Sequence, residues 1–213
     1  MTEISHAVGT DAVPSPVVSV HTFGGLCLHY EGSPITICWE SQKARLLFCY
    51  LLVSYDQWIH RDKLIEALWP GCDPDAGSQN FKTTLSRLRK SFSGAQTLVP
   101  VASQGEAYRL NVKEIGLDAS AFKCAALTGI KLHARGDSVA AKRYLESAQD
   151  LYTGDFLPEE PFNEFISAER RYLAQLHASV IILLERVYAE EGNTTASEAI
   201  SMLRKLSELC ESA

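Results

Sequence analysis

Hydrophobic and polar positions change their spacing along the chain. Residues 17–39, VVSVHTFGGLCLHYEGSPITICW, are rich in Val, Ile, Thr and aromatic residues and are interrupted by Gly24-Gly25 and Gly32-Ser33-Pro34. This composition predicts three or four short antiparallel strands. From Leu117 onward the apolar residues recur at helical spacing instead. The pattern therefore predicts an α+β N-terminal part followed by an all-α part.

Three helices are predicted within the N-terminal part. Ser41 is suited to cap the start of the first, and a second is predicted from about His60 to Leu68. The segment WPGCDPDAG should end the second helix, because Pro70 and Pro74 are not expected inside a helix. A third helix is predicted to begin near Asp75 and to end at Gly94.

The third helix has two chemically different faces. Its apolar stripe is formed by Phe81, Leu85, Leu88 and Phe92. Amide, hydroxyl and cationic side chains lie elsewhere on its surface: Gln79, Asn80, Lys82, Thr83, Ser86, Arg87, Arg89 and Lys90. The stretch SQNFKTTLSRLRKSF, residues 78–92, contains no Asp or Glu, although the whole chain has a net charge of -6.

A hairpin is predicted after the third helix. The segment TLVPVASQGEAYRLNV alternates around Gly105, which places the tip near Ser103 to Glu106. Strands, three helices and a terminal hairpin describe a winged helix-turn-helix, whose third helix enters the major groove of DNA. Phosphates repel carboxylates, whereas Arg pairs with guanine, Asn with adenine, and the Thr methyl group contacts thymine. The cationic face is therefore predicted to read DNA; the alternative is an ordinary solvated surface.

The second half of the chain is predicted to be helical throughout. Two short turns, Gly136-Asp137 and Gly192-Asn193, join the helices in pairs, which suggests a tetratricopeptide-like stack. The predicted helices cover about 119–134, 138–152, 162–191 and 195–210. This half holds 10 basic and 15 acidic residues, against 10 and 11 up to Gly116, so it carries most of the negative charge.

Several other classes of protein are disfavoured. The six cysteines form no C-x-x-C pair and have no His at zinc-finger spacing, so no metal site is predicted, and Cys49 is expected to be a small buried hydrophobe. The chain has no apolar run of 18 residues and no secretory signal in its first residues, which predicts a cytoplasmic protein with a flexible tail over 1–16.

Enzyme motifs are also missing from the sequence, and no cofactor is expected. The chain has none of the glycine-rich phosphate loops, zinc-protease motifs or nucleophile elbows. Glu159 and Glu160 stand between Pro158 and Pro161 and are predicted to be solvated in a turn. His133 and His177 lie in helical patterns without a nucleophile or ligand partner, so they are predicted to be surface or packed histidines.

Four stretches of the sequence resemble one known family of proteins. KARLLFCYLL, HRDKLIEALWPGCDPDAGSQNFKTTLSRLRKSF and AYRLNV resemble the OmpR-type winged helix of the Streptomyces antibiotic regulatory protein (SARP) family. GDFLPEEPFNEFISAERRYL resembles the bacterial transcriptional activator domain that follows it there. The order and spacing match over about residues 17–211. The resemblance implies a winged-helix domain over 17–113 and an activator domain over 117–213.

The resemblance also implies a function. Members of the family bind direct repeats in double-stranded DNA near a promoter and contact RNA polymerase, and a dimer or tandem array on DNA follows from the geometry of half-sites. The positions that match the family's DNA contacts are Asn80, Thr83, Arg87 and Arg89 for the groove, Lys82 and Lys90 for phosphate with Ser86 on the same face, His60 and Arg61 at the second helix, and Arg109 in the wing.

The sequence departs from the family pattern in three places. Ala107 stands where a glycine usually precedes the Tyr-Arg-Leu of the wing, with Glu106 beside it, and Phe165 stands where a Trp is frequent. The chain also ends at Ala213, where the activator domain usually continues, so a short form or a fragment is expected. An alternative function is a protein-binding adapter whose winged helix no longer binds DNA.

Overall fold

The computed structural model describes residues 18–92, 100–112 and 115–211. The predicted tail over 1–16 and the predicted helix end at Gly94 lie outside these ranges.

The described chain begins with a small sheet. Strands β1 (Val18–His21), β2 (Cys27–Tyr30) and β3 (Ser33–Ile35) pair antiparallel, as the sequence predicts. A strand that the sequence did not predict, Ile115–Leu117, completes the sheet by pairing parallel to β1, with Val18 opposite Ile115. The last strand before the helical part is therefore bound to the first strand of the chain.

Three helices follow β3 along the chain. Helix α1 (Gln42–Val53) begins at the predicted cap, because the Ser41 side chain accepts a hydrogen bond from the Ala44 amide at 3.1 Å. Helix α2 (Arg61–Leu68) and helix α3 (Pro74–Ser91) follow. The expectation that Pro74 lies outside a helix is wrong: it occupies the first turn, where no amide hydrogen is needed, and Asp73 caps that turn.

A hairpin follows α3, as predicted. Strand β4 (Ile59–His60) precedes α2, and the hairpin consists of β5 (Val101–Gln104) and β6 (Ala107–Leu110). The order in this second sheet is β4-β6-β5, and the unpredicted strand Ile115–Leu117 is β7. The three helices and the hairpin form the predicted winged helix.

The rest of the described chain is helical. Helices α4 (Asp118–Ala134) and α5 (Ser138–Leu151) form one pair, and α6 (Glu164–Glu190) and α7 (Thr194–Glu211) form the next. Gly129 allows α4 and α5 to cross closely, since a Cβ atom there would lie 2.8 Å from Leu145 Cγ. These bounds agree with the predicted helices to within two residues.

One continuous hydrophobic core joins the winged helix and the helical part. Phe23, which follows β1, contacts Phe122 of α4 at a ring-centroid distance of 5.4 Å and Tyr152 at 4.7 Å. Cys49 is fully buried in this core, as predicted, and burial raises the pKa of its thiol to about 12. The thiol is therefore protonated and unreactive at neutral pH.

Polar contacts also cross between the two parts. Glu159 Oε1 accepts a hydrogen bond from the Leu26 amide at 2.6 Å, and Glu160 forms an ion pair with Arg45 of α1. Glu159 is exposed, as predicted, but it also bonds a distant backbone amide, and Glu160 is only partly exposed because of its ion pair. Arg170 of α6 holds their loop in place by donating to the carbonyls of Phe156 and Leu157 at 2.7 and 2.6 Å.

None of the helices in the described ranges is long and apolar enough to cross a membrane. Within the same ranges, no group of three His, Cys, Asp or Glu side chains is placed to hold a metal ion.

Candidate nucleic-acid interface

Helix α3 is held against the winged helix by its apolar stripe. Phe81, Leu88 and Phe92 are fully buried, and Leu85 is nearly so. The Phe92 ring contacts Phe48 of α1 at a centroid distance of 5.3 Å. All four residues that the sequence assigned to the inner stripe are therefore in the core, so the opposite side of α3 must face away from it.

A glycine sets the angle between α2 and α3. A Cβ atom at Gly77 would lie only 2.7 Å from Ile65 Cγ2 and 2.8 Å from Cys72 Sγ. Both distances are too short for ordinary van der Waals contact, so a larger residue would push the first turns of α3 away from α2. This close approach sets the position of α3 against α2, and no local pattern in the sequence indicates it.

The outer side of α3 is a cationic, hydrogen-bonding surface. All eight polar residues assigned to it from the sequence are exposed: Gln79, Asn80, Lys82, Thr83, Ser86, Arg87, Arg89 and Lys90. Lys82, Arg87 and Arg89 make no ion pair with any residue of the described ranges. Their charges are therefore available to an anionic partner.

A shallow depression of about 490 Å³ lies on this surface. Five of its lining residues belong to α3: Lys82, Thr83, Ser86, Arg87 and Lys90. The sixth is Glu40, which precedes the cap of α1 and lies 3.0 Å from Lys90 Nζ through its Oε1. Sequence reasoning missed Glu40, because it is 50 positions from Lys90 and only the packing of α1 against α3 brings the two together.

His60 and Arg61 lie at the start of α2, as predicted, but they face carboxylates. Arg61 Nη1 lies 2.6 Å from Glu106 Oε1 in the hairpin, and Arg61 Nε lies 3.3 Å from Asp62 Oδ1. The His60 ring accepts a hydrogen bond from the Asp62 amide and lies 3.6 Å from Glu106. A phosphate at this helix start would have to compete with Glu106 for Arg61.

Arg109 is not part of the α3 surface. Its guanidinium lies 4.6 Å from the centre of the Trp58 ring and 3.1 Å from Asp56 Oδ1. Its neighbour Tyr108 contacts Phe81 at a centroid distance of 4.9 Å, which makes it an anchor of the hairpin to the core. Because side chains alternate along a strand, Arg109 points to the other face of the hairpin from Tyr108.

The structure brings seven of the ten candidate residues together on one helix and gives the other three different settings. Seven lie on the outer side of α3: Asn80, Lys82, Thr83, Ser86, Arg87, Arg89 and Lys90. Arg61 begins α2 and is tied to the hairpin, while His60 caps α2 and Arg109 is held by Trp58 and Asp56. The fold and this surface define a winged-helix protein that carries an α-helical domain directly behind its hairpin.

Comparisons with known proteins agree with that class. Residues 117–212 match the model of the bacterial transcriptional activator domain. The transcriptional regulatory protein MoaR1 of Mycobacterium tuberculosis is 26% identical over 168 residues, which cover 78% of this chain and 53% of MoaR1. MoaR1 of Mycobacterium bovis is 27% identical over 150 residues, covering 69% of this chain and 48% of that protein. The chain therefore spans about half the length of these relatives.

A solved structure shares the fold. Mycobacterium tuberculosis EmbR, in complex with a low-affinity phosphopeptide, superimposes with a TM-score of 0.70 at 22% identity and covers 86% of this chain and 48% of its own. At that identity the likeness bears on the fold alone. The domain match and the MoaR1 relatives support the resemblance to the SARP family that the sequence suggests, and they show similarity to regulators of transcription.

Proposed function

We propose that this chain is a sequence-specific DNA-binding regulator of transcription, and that α3 is its recognition helix. The observation that carries the proposal is the outer surface of α3, where Lys82, Arg87 and Arg89 are exposed and unpaired with the residues described, on a helix whose other side is buried. DNA carries one phosphate charge per ~1.7 Å of its axis, so such a surface attracts it strongly.

The residue types on this surface suit different parts of the duplex. Arg87 and Arg89 can pair with guanine O6 and N7, Asn80 can pair with adenine, and Thr83 can contact the thymine methyl group. Lys82 and Lys90 suit phosphates, and Ser86 can donate to either. Arg61 and His60 at the start of α2 would add a backbone contact once Glu106 yields, whereas Arg109 would need to leave Trp58 to take part.

The helical part supplies the second half of the proposed mechanism. We assign DNA binding to residues 17–113 and partner contact to residues 117–213, with promoter repeats as the target and activation through RNA polymerase as the outcome. The SARP resemblance supports this assignment. Two copies on adjacent half-sites would follow from the single recognition helix per chain. An electrophoretic mobility assay with promoter DNA, purified RNA polymerase and this chain would test the contact. The proposal expects a complex that contains all three, and one that the DNA and polymerase do not form without this chain.

The decisive experiment is selection of binding sites from a randomised duplex pool. Wild type should enrich a motif, and Lys82→Ala/Arg87→Ala/Arg89→Ala should enrich none. Lys131→Ala/Arg135→Ala/Arg143→Ala is the matched control, because it removes three exposed cations from the helical part and changes the net charge equally. The control should keep the motif. If wild type enriches nothing even at low salt, DNA reading by this chain is refuted.

A second candidate function is a protein-binding adapter. A cavity of about 700 Å³ lies between α1, α2 and the start of α6, and the exposed rings of Trp58 and Phe165 line it. Exposed aromatic rings in a cavity suit an apolar protein partner, and the pairing of Arg61 with Glu106 leaves one cation fewer for DNA. Salt separates the two functions, because DNA affinity should fall steeply with salt in proportion to the phosphates contacted, whereas binding of an apolar partner should not.

A further inference from the structure

We propose that Glu40 is a specificity-determining residue that selects cytosine at one position of the DNA site. The proposal rests on the proposed function and concerns a residue outside the recognition helix. Glu40 lines the same depression as Lys82, Thr83, Ser86, Arg87 and Lys90 of α3.

The position of Glu40 is fixed by contacts on two sides. Its backbone amide donates to Ser91 Oγ at 3.1 Å, and its Oε1 lies 3.0 Å from Lys90 Nζ. Ser91 Oγ donates in turn to the Arg87 carbonyl at 3.0 Å, so the segment before α1 is tied to the last turns of α3. The carboxylate is still 35% exposed, which leaves it accessible to a partner that occupies the depression.

The chemistry of the carboxylate sets it apart from its neighbours. Lys82, Arg87 and Lys90 can only donate hydrogen bonds, and they suit phosphates and the keto and N7 acceptors of guanine. An ionised carboxylate can only accept, so it repels phosphates and keto oxygens and suits the amino group of cytosine N4 in the major groove. Guanine and thymine would place acceptor atoms against the carboxylate, and adenine would place its N7 acceptor beside its amino group, so these bases are disfavoured.

The role of Glu40 is tested by comparing the motifs that wild type and single variants select from randomised duplexes. Wild type should prefer C·G at one position, and replacing that pair should weaken binding about 10-fold. Glu40→Ala should lose the preference at that position alone while it keeps the rest of the motif. Glu40→Gln should shift the preference towards adenine, because a side-chain amide both donates and accepts. Glu66→Ala removes an exposed carboxylate from α2 and should change nothing in the motif.

A second comparison separates base reading from an effect through Lys90. If Glu40 reads the base, Lys90→Ala keeps the cytosine preference, and adding Glu40→Ala to it removes the preference. If Lys90→Ala and the double variant both lose the same position, Glu40 acts only by holding Lys90, and the inference is wrong. A Glu40→Ala motif identical to wild type also overturns it, but leaves DNA reading by α3 intact. A wild type that enriches no motif refutes the proposed function itself.

Discussion

Asp118 binds Thr22 across the junction between the winged helix and the helical part. One carboxylate oxygen of Asp118 accepts a hydrogen bond from the Thr22 amide at 2.7 Å, and the other accepts one from the Thr22 hydroxyl at 2.6 Å. The Phe23 amide is a third donor at 3.2 Å. Thr22 is fully buried, and Asp118 is the first residue of α4, so this single side chain joins the end of β1 to the start of the helical part.

Replacing Asp118 should therefore loosen the junction. Asp118→Ala removes the acceptor of three backbone amides, those of Thr22, Phe23 and Ala119, and of one buried hydroxyl. We expect the free energy of unfolding to fall by about 2–4 kcal/mol. Urea denaturation followed by circular dichroism measures the loss. Asp150→Ala, an exposed acid on α5, is the matched control and should stay within about 0.5 kcal/mol of wild type. A loss for Asp118→Ala no larger than that of the control would show that the junction does not depend on this carboxylate.

The close approach of α2 and α3 at Gly77 gives a second prediction. Gly77→Ala gains about 1 kcal/mol of helix propensity but places a methyl group 2.7 Å from Ile65 Cγ2, and overpacking of this kind costs about 1–3 kcal/mol. We expect a net loss of about 1 kcal/mol in urea denaturation. The exposed substitution Gln79→Ala on the same helix should cost nothing measurable.

Coupling to Ile65 checks the cause of that loss. Ile65→Ala removes the methyl group that the new Cβ atom meets, so the double variant should lose less stability than the sum of the two single variants. Strict additivity would mean that the contact with Ile65 does not determine the cost.

The elements that local physics determines were predictable from the sequence. Ser41 caps α1 through its own side chain, and the stripe from Phe81 to Phe92 follows from the period of a helix, so both appear where the pattern predicts them. The exposed polar side of α3 follows from the same period. The ends of the four C-terminal helices agree to within two residues because Gly136-Asp137 and Gly192-Asn193 form the turns.

Features that depend on distant residues were not predictable in this way. Strand β7 is only three residues long and gains its place by pairing with β1, nearly 100 positions earlier. Glu159 looks solvated from its neighbours, yet it bonds the Leu26 amide, 133 positions away. Glu40 reaches the α3 surface and Glu106 reaches Arg61 for the same reason, namely tertiary packing that no local pattern encodes.

The pairing of Arg61 with Glu106 predicts a gain in DNA affinity. Glu106→Gln removes the carboxylate that lies 2.6 Å from Arg61 Nη1, which leaves Arg61 only its 3.3 Å contact with Asp62 and removes one negative charge from the hairpin. We expect binding to the selected motif to tighten about 3-fold at moderate salt. The slope of the logarithm of the binding constant against the logarithm of salt concentration should steepen by up to about 1. Fluorescence anisotropy at several salt concentrations measures both.

Two further variants test whether the gain in affinity comes from Arg61. Glu198→Gln removes the same charge from α7 and should leave the affinity and the slope unchanged. Arg61→Ala added to Glu106→Gln should cancel the gain. A gain that persists in the double variant would show that the freed arginine is not its source.

His177 is a partly buried histidine inside the helical part. Its ring stacks on Tyr152 at a centroid distance of 3.9 Å, and its Nε2 lies 2.9 Å from Gln149 Oε1. Burial lowers the pKa of His177 from 6.5 to about 4, because the interior disfavours the charged imidazolium. The sequence prediction of a packed histidine agrees with this setting.

The lowered pKa predicts how stability depends on pH. An unfolded chain takes up a proton on His177 as the pH falls through 6.5, whereas the folded protein does so only near pH 4. The stabilisation is therefore fully present above pH 6.5 and is lost as the pH falls to about 4, by about 3 kcal/mol in total. His177→Phe keeps the stacking on Tyr152 but cannot take up a proton. Urea denaturation measures the free energy of unfolding at pH 7 and at pH 4.5. The decrease between the two pH values should be about 2–3 kcal/mol smaller in the variant than in wild type. Equal losses in the two proteins, or an NMR titration of the His177 ring with a midpoint near 6.5, would contradict the prediction.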